Sequence, residues 1–177
     1  GEVTTAEILE HLPDDLLAGG DLWALADVPG LSIRHGDRVV RTPDRERLAD
    51  LDLLPSPYLT GLFDDFAHST APVVILETNR GCPYGCTFCD WGSATLSRIR
   101  KFSLDRVFDE IEWFGKNQMP RVFLADANFG IFERDVEIAR RFAETKERYG
   151  YPLEFKSSYA KNTTKHLTVI VDELVKA

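Results

Sequence analysis

Residues 71–89 read APVVILETNRGCPYGCTFC. Two signals meet in this stretch without a break. Residues 71–78 are apolar and β-branched, the pattern of a buried strand. They run directly into Cys82, Cys86 and Cys89, the only cysteines in the 177 residues. Ordinary buried cysteines scatter singly over apolar faces. These three share one loop with Gly81, Pro83 and Gly85. The glycines permit positive φ, and Pro83 keeps Cys82 extended. A loop of this kind can wrap around a bound group and aim backbone amides at its sulfurs.

The spacing is C-x-x-x-C-x-x-C. Three thiolates can hold three irons of a four-iron cluster and leave the fourth open to bind and activate something, whereas four close thiolates describe a closed site. A zinc site needs a fourth ligand, and His11, His35, His68 and His166 are all distant from the loop, which leaves only a long-range ligand. A disulfide would strand one thiol, and no signal peptide points to an oxidising compartment.

Downstream of the loop, strand and helix signals alternate. KFSLDRVFDEIEWFGKN (101–117) places Leu104, Val107, Phe108, Ile111 and Phe114 at helical spacing, with Ser103 as N-cap and Gly115 as stop. RVFLADANFG (121–130) reads as a buried strand ending in polar residues. A helix over about 132–149 puts Val136, Ala139, Phe142 and Ala143 on one face and ends at Gly150. LEFKSSYA (153–160) is a third strand, and a third helix begins near Thr164. This order predicts an α/β fold with a parallel sheet and right-handed crossovers. In the third strand Leu153, Phe155 and Ser157 point one way, and Glu154, Lys156 and Ser158 the other. The polar stripe marks either a lumen that is partly an active site or a wet edge. Asp126 and Asn128 share a face at the tip of the second strand, where ligands gather in parallel α/β folds. The other role open to them is capping the next helix.

Composition bounds the function. A chain that is 44% hydrophobic and 28% charged can bury one core with a small appendage, as a cytosolic enzyme fragment does. Its apolar runs fall short of the ~20 residues a membrane span needs. The net charge of −8 is uneven. Residues 1–70 carry 5 basic and 14 acidic groups, and residues 71–177 carry 16 and 15. Neither half offers the basic field that nucleic-acid binding relies on. The start at Gly1 rather than Met suggests a piece of something longer.

The cysteine loop closely resembles that of the radical S-adenosylmethionine (radical SAM) enzymes, and the resemblance covers about residues 71–177. It implies a [4Fe-4S] cluster on Cys82, Cys86 and Cys89, with S-adenosylmethionine chelated to the open iron and cleaved to a 5'-deoxyadenosyl radical. It places Phe88 against the adenine, and Asp126 and Asn128 near the amino group of S-adenosylmethionine, although LADANFG lacks the family's glycine-rich form. Lys156 and Ser158, on the polar stripe, complete the expected cofactor-binding set. The fold implied is a partial TIM-like (βα) barrel of which about three βα units, half a barrel, are present.

Residues 1–70 read as an interdomain connector. TAEILEHL (5–12) and DLWALAD (21–27) are short helix candidates, and LSIRHGDRVVRT (31–42) is a hairpin about His35-Gly36-Asp37. Trp23 reads as a core anchor. His68, among several acids, reads as an exposed linker residue rather than a metal ligand. Gly1-Glu2, Val28-Pro29-Gly30-Leu31 and Leu51–Tyr58 resemble the connector of radical SAM proteins that carry an upstream cobalamin-binding domain. Asp90-Trp91-Gly92 is similar to the corresponding segment of the cobalamin-dependent methyltransferases. The resemblance therefore implies cobalamin in the full-length protein and C-methylation of a small-molecule or peptide substrate. A reductant protein would serve the cluster, in the cytoplasm, with neither nucleic acid nor membrane as partner. A radical SAM rearrangement or cyclisation, and a non-catalytic iron–sulfur or zinc-binding fragment, are the alternatives.

Overall fold

The computed structural model describes residues 1–12, 22–65, 73–89, 99–160 and 165–176. His68 and Asp90-Trp91-Gly92 lie outside the described residues. The chain divides into two compact units, Gly1–Leu48 and Ala49–Ala177.

The first unit holds α1 (Glu2–His11), a 3-10 turn (Leu22–Leu25), β1 (Ser32–His35) and β2 (Arg38–Arg41). The two strands pair antiparallel from Ser32↔Arg41 to His35↔Arg38, leaving Gly36 and Asp37 as the turn. Gly36 takes φ 58, the left-handed conformation a two-residue hairpin demands. Leu25, Val28 and Ile33 are buried, with Ile8, Leu12 and Leu31 packed on them. Trp23 is not the core anchor its size suggests. It is 43% exposed and lies on the His35 ring at 4.6 Å between centroids, because so small a core leaves the indole outside. Arg45 donates to Thr4 Oγ1 at 2.9 Å and pairs with Glu7, tying α1 to the chain beyond the hairpin.

The second unit runs β3 (Val73–Leu76), β4 (Asn79–Arg80), β5 (Arg100–Lys101), α2 (Leu104–Lys116), β6 (Arg121–Phe129), α3 (Arg134–Tyr149), β7 (Glu154–Tyr159) and α4 (Lys165–Lys176). Strands β3, β6 and β7 form a parallel sheet in that order, as the alternation predicts. The register decides the faces. Val74 pairs with Val122 and Leu76 with Leu124, and all four are buried. They pack with Val107, Ile111 and Phe114 of α2 and Val136, Ile138, Ala139 and Phe142 of α3. On the other face Ile75 pairs with Phe123, and Phe123 with Lys156. Val73, Ile75 and Phe123 are all substantially exposed there. The polar stripe of β7 therefore lies on the face turned away from the helices.

Helix α2 starts where its cap predicts, with Ser103 Oγ accepting from Arg106 N–H at 3.3 Å. Gly115 does not stop it. The helix continues to Lys116, and Gly115 is buried against Thr145 and Tyr149 of α3. A Cβ at Gly115 would stand 2.4 Å from Thr145 Cγ2 and 2.7 Å from Tyr149 Cδ2. Its spacing role outweighs its breaker propensity. Gly150, at φ 78, does end α3.

The unit boundary falls at Leu48/Ala49, not at residue 70 as the sequence reading has it. Leu51, Leu54 and Tyr58 are buried, and Leu51 and Tyr58 belong to the main core. The prolines of LDLLPSPYL prevent regular structure but not burial. The Tyr58 ring packs on Phe63, Trp113 and Phe114, at 5.4, 5.1 and 4.9 Å between centroids. Its hydroxyl donates to Ile75 C=O at 2.7 Å and accepts from Ile75 N–H at 3.1 Å. One side chain thus satisfies both backbone groups of Ile75 on the outer edge of β3. Asp52 and Arg106 add contacts to Ser103 N–H and Leu54 C=O.

Candidate functional site: a cysteine-rimmed cavity

The cysteine loop is closed at its base. Asn79 pairs with Lys101 and Arg80 with Arg100, and Phe102 N–H donates to Thr78 C=O at 3.0 Å. This short ladder brackets the cysteines. Gly81 takes φ 119 at the start of the loop, while Gly85 uses no such freedom. Cys89 N–H donates to Cys86 C=O at 3.1 Å, turning the chain between the last two thiols.

The loop is held to the sheet through Asp126. Its Oδ1 accepts from Thr78 N–H at 2.8 Å and Asn79 N–H at 3.2 Å. Its Oδ2 accepts from Thr78 Oγ1 and from Asn79 Nδ2 at 2.7 Å. A carboxylate has about four acceptor positions, and the protein fills them. Asp126 therefore anchors the base of the cysteine loop to the tip of β6. Burial pushes its carboxyl up to about 6, against the opposing pull of its Thr78 and Asn79 hydrogen bonds. Neither Asp126 nor Asn128 caps the next helix. The N-cap residue of α3, Glu133, makes no side-chain cap hydrogen bond, and Asp135 in the first turn accepts through Oδ2 from Gly130 N–H at 2.9 Å and Phe132 N–H at 3.0 Å in the turn before the helix.

A cavity of about 340 Å³ opens at the carboxyl ends of the strands. Cys82, Cys86 and Cys89 all line it, together with Asp126, Asn128 and Ser158. Six of the eight residues in the expected set thus share one space. Cys82 is buried, the other two thiols are half-buried, and Asn128 Nδ2 donates to Cys82 Sγ at 3.1 Å. Phe88 and Lys156 do not line the cavity. Phe88 is 76% exposed, and Lys156 pairs with Glu154 at 3.8 Å. Tyr84 and Phe123 line it without having been singled out as site residues from sequence. Tyr84 lies between two cysteines, a signal that was available, but Phe123 is indistinguishable from a core residue in an apolar strand. Thr78 and Asn79 were missed as well, since their role exists only through Asp126, nearly fifty residues away. Among the described residues, no three His, Cys, Asp or Glu side chains converge on a single metal-ion position.

Fold and cavity together define an α/β protein with three thiols gathered at the tips of a parallel sheet. Comparison with known proteins narrows the class. The cobalamin-dependent radical SAM methyltransferase TokK of Streptomyces tokunonensis is 46% identical over 141 residues, 77% of this chain and 21% of the relative. A 2-(S-pantetheinyl)-carbapenam-3-carboxylate methyltransferase of Streptantibioticus cattleyicolor is 45% identical over 141 residues, with the same coverage of both chains. Among solved structures, the apo, selenomethionine-labelled cobalamin-dependent S-adenosylmethionine radical enzyme OxsB has the same fold over 90% of this chain and 23% of its own. The TM-score is 0.52 and the identity 19%. No family model matches the chain. Over most of its length the chain is thus similar in sequence to cobalamin-dependent radical SAM methyltransferases. The chain spans about a fifth of the length of the curated relatives it matches. Among the described residues no helix is long and apolar enough to cross a membrane.

Proposed function

We propose that the chain is part of a radical SAM enzyme of the cobalamin-dependent methyltransferase type, with Cys82, Cys86 and Cys89 holding a [4Fe-4S] cluster. The observation that carries this reading is the common cavity: three thiols rim one space at the strand tips. The donor set fits the group. A cluster takes each thiolate on a different iron, which suits donors spread around a cavity. When bound, the cluster supplies an open iron for the amino and carboxylate groups of S-adenosylmethionine and the electron that cleaves its sulfonium.

The chain's own residues hold and enclose. Asp126 fixes where the cysteine loop leaves the sheet, through Thr78 and Asn79. Tyr84 and Phe123 give the cavity apolar walls, and Ser158 offers a hydroxyl on the side of β7. Phe88, beside Cys89 and largely exposed, is available to cover a bound adenine ring. Lys156 stands on the same open face of the sheet as Ile75 and Phe123, which would become the lumen of a larger (βα) barrel containing these three units. Parallel sheets bury both faces, and the exposure of Val73, Ile75 and Phe123 supports such a barrel.

Cobalamin as a further cofactor, a small-molecule or peptide substrate, a reductant protein and a cytoplasmic setting belong to this reading of the whole enzyme. The test is anaerobic reconstitution with iron and sulfide. The chain should bind about four irons and four sulfides, the Cys82→Ala/Cys86→Ala/Cys89→Ala variant none, and S-adenosylmethionine should change the electron paramagnetic resonance spectrum of the reduced cluster. Stoichiometric zinc with no brown chromophore would overturn the reading.

A further inference from the structure

Asn128 is the penultimate residue of β6, next to the irregularity in pairing that falls between Leu124 and Phe129. Regular pairing with β7 runs only through Leu124↔Ser157 and resumes at Phe129↔Tyr159. Within that gap the Asn128 side chain reaches the cysteine loop instead of following the ladder. Its Nδ2 lies 3.1 Å from Cys82 Sγ, and both residues are at most 9% exposed. The orientation of the amide is fixed by chemistry. A carboxamide oxygen against a thiolate would set two electron-rich atoms in contact, whereas Nδ2–H puts a donor on the sulfur. Water is largely excluded, so the bond is electrostatically stronger than the same pair in solvent. Asn128 takes no part in capping α3, whose N-cap residue is Glu133.

We infer that Asn128 is a positioning and tuning residue that donates a hydrogen bond to the Cys82 thiolate and so raises the reduction potential of the cluster bound there. The inference rests on the cluster reading above. Reduction adds one negative charge, part of which spreads onto the ligand sulfurs. An N–H aimed at one of those sulfurs stabilises the reduced form more than the oxidised one. Hydrogen bonds to sulfur and solvent exposure are among the levers by which proteins set such potentials. Asn128 supplies the first, and its side chain shields Cys82 from the second. It also holds the sulfur in place: Asp126 fixes the base of the loop and Asn128 its first thiol, from alternate positions on one strand.

The test compares the reconstituted 177-residue chain with Asn128→Leu, which keeps the volume and removes the donor, and Asn128→Asp, which turns a carboxylate oxygen toward the sulfur. Iron and sulfide content is measured first, and each cluster is then titrated against redox dyes. At a fixed potential the reduced-to-oxidised ratio should fall about tenfold in Asn128→Leu, a shift of ~59 mV for one electron, and further in Asn128→Asp. A purely structural role would change cluster occupancy without moving the potential of the clusters that form. Should a variant hold no cluster, the wild-type chain decides. Reduced protein containing 15N-asparagine should show nitrogen coupling in its electron spin echo modulation, beyond that of backbone amides labelled separately. Full cluster content with unchanged potentials, or no asparagine coupling in wild type, overturns the inference and leaves the cluster reading standing. A wild-type chain that takes up no cluster overturns both.

Discussion

Tyr58→Phe removes one oxygen and leaves the ring contacts with Phe63, Trp113 and Phe114 in place. The lost oxygen makes two hydrogen bonds, at 2.7 and 3.1 Å, both to the backbone of Ile75. Each such bond contributes a net ~0.5–1.5 kcal/mol. The hydroxyl is buried, while Ile75 is 57% exposed, so water can replace part of what is lost on the strand side. A loss of about 1–2 kcal/mol is expected, below the sum of two fully buried bonds. Urea unfolding of the chain should show a lower midpoint at unchanged slope, because the surface exposed on unfolding hardly changes. Amide exchange at Ile75 should accelerate by about five- to thirtyfold, the factor that a loss of about 1–2 kcal/mol implies. Burial also raises the Tyr58 phenol above its ordinary pKa, against the opposing hydrogen bond to Ile75. An unchanged midpoint together with unchanged Ile75 protection would refute the argument that this hydroxyl closes the edge of β3.

Gly115→Ala should destabilise by about 1–3 kcal/mol, read by urea unfolding, because the added Cβ meets Thr145 and Tyr149 inside van der Waals contact. A neutral result would mean α2 and α3 can separate at no cost. In the cluster-free chain, Asp126 binds its proton more tightly folded, at about 6, than in its ordinary state at 3.8. Its favourable contribution is therefore complete below the lower value and lost as pH rises through about 6. The stability difference between wild type and Asp126→Asn should move by about 2–3 kcal/mol toward wild type between pH 7 and pH 4. A difference that stays flat across this window would show that the carboxyl titrates normally.

The cysteine loop, the strand leading into it and the alternation of the three parallel strands with helices were legible in the residues, because each rests on local pattern, whereas the short β4–β5 ladder was not. Cys82, Cys86 and Cys89 declare themselves by spacing. Ser103, Gly36 and Gly150 declare caps and turns through backbone requirements that hold in any fold. What failed in the reading were residues whose role is set by a distant partner. Gly115 carries a helix-breaking signal, but the proximity of Thr145 and Tyr149 decides its role. Trp23 has the size of a core residue in a unit whose core is too small to take it. Leu51 and Tyr58 sit in a proline-broken stretch that reads as a connector, and only the packing of β3 and α2 draws them into the second unit. Asp126 and Asn128 were visible as polar residues at a strand tip. That one holds Thr78 and Asn79 while the other holds a cysteine sulfur is decided by tertiary structure, since alternation along a strand gives the side a residue faces and not the atom it meets.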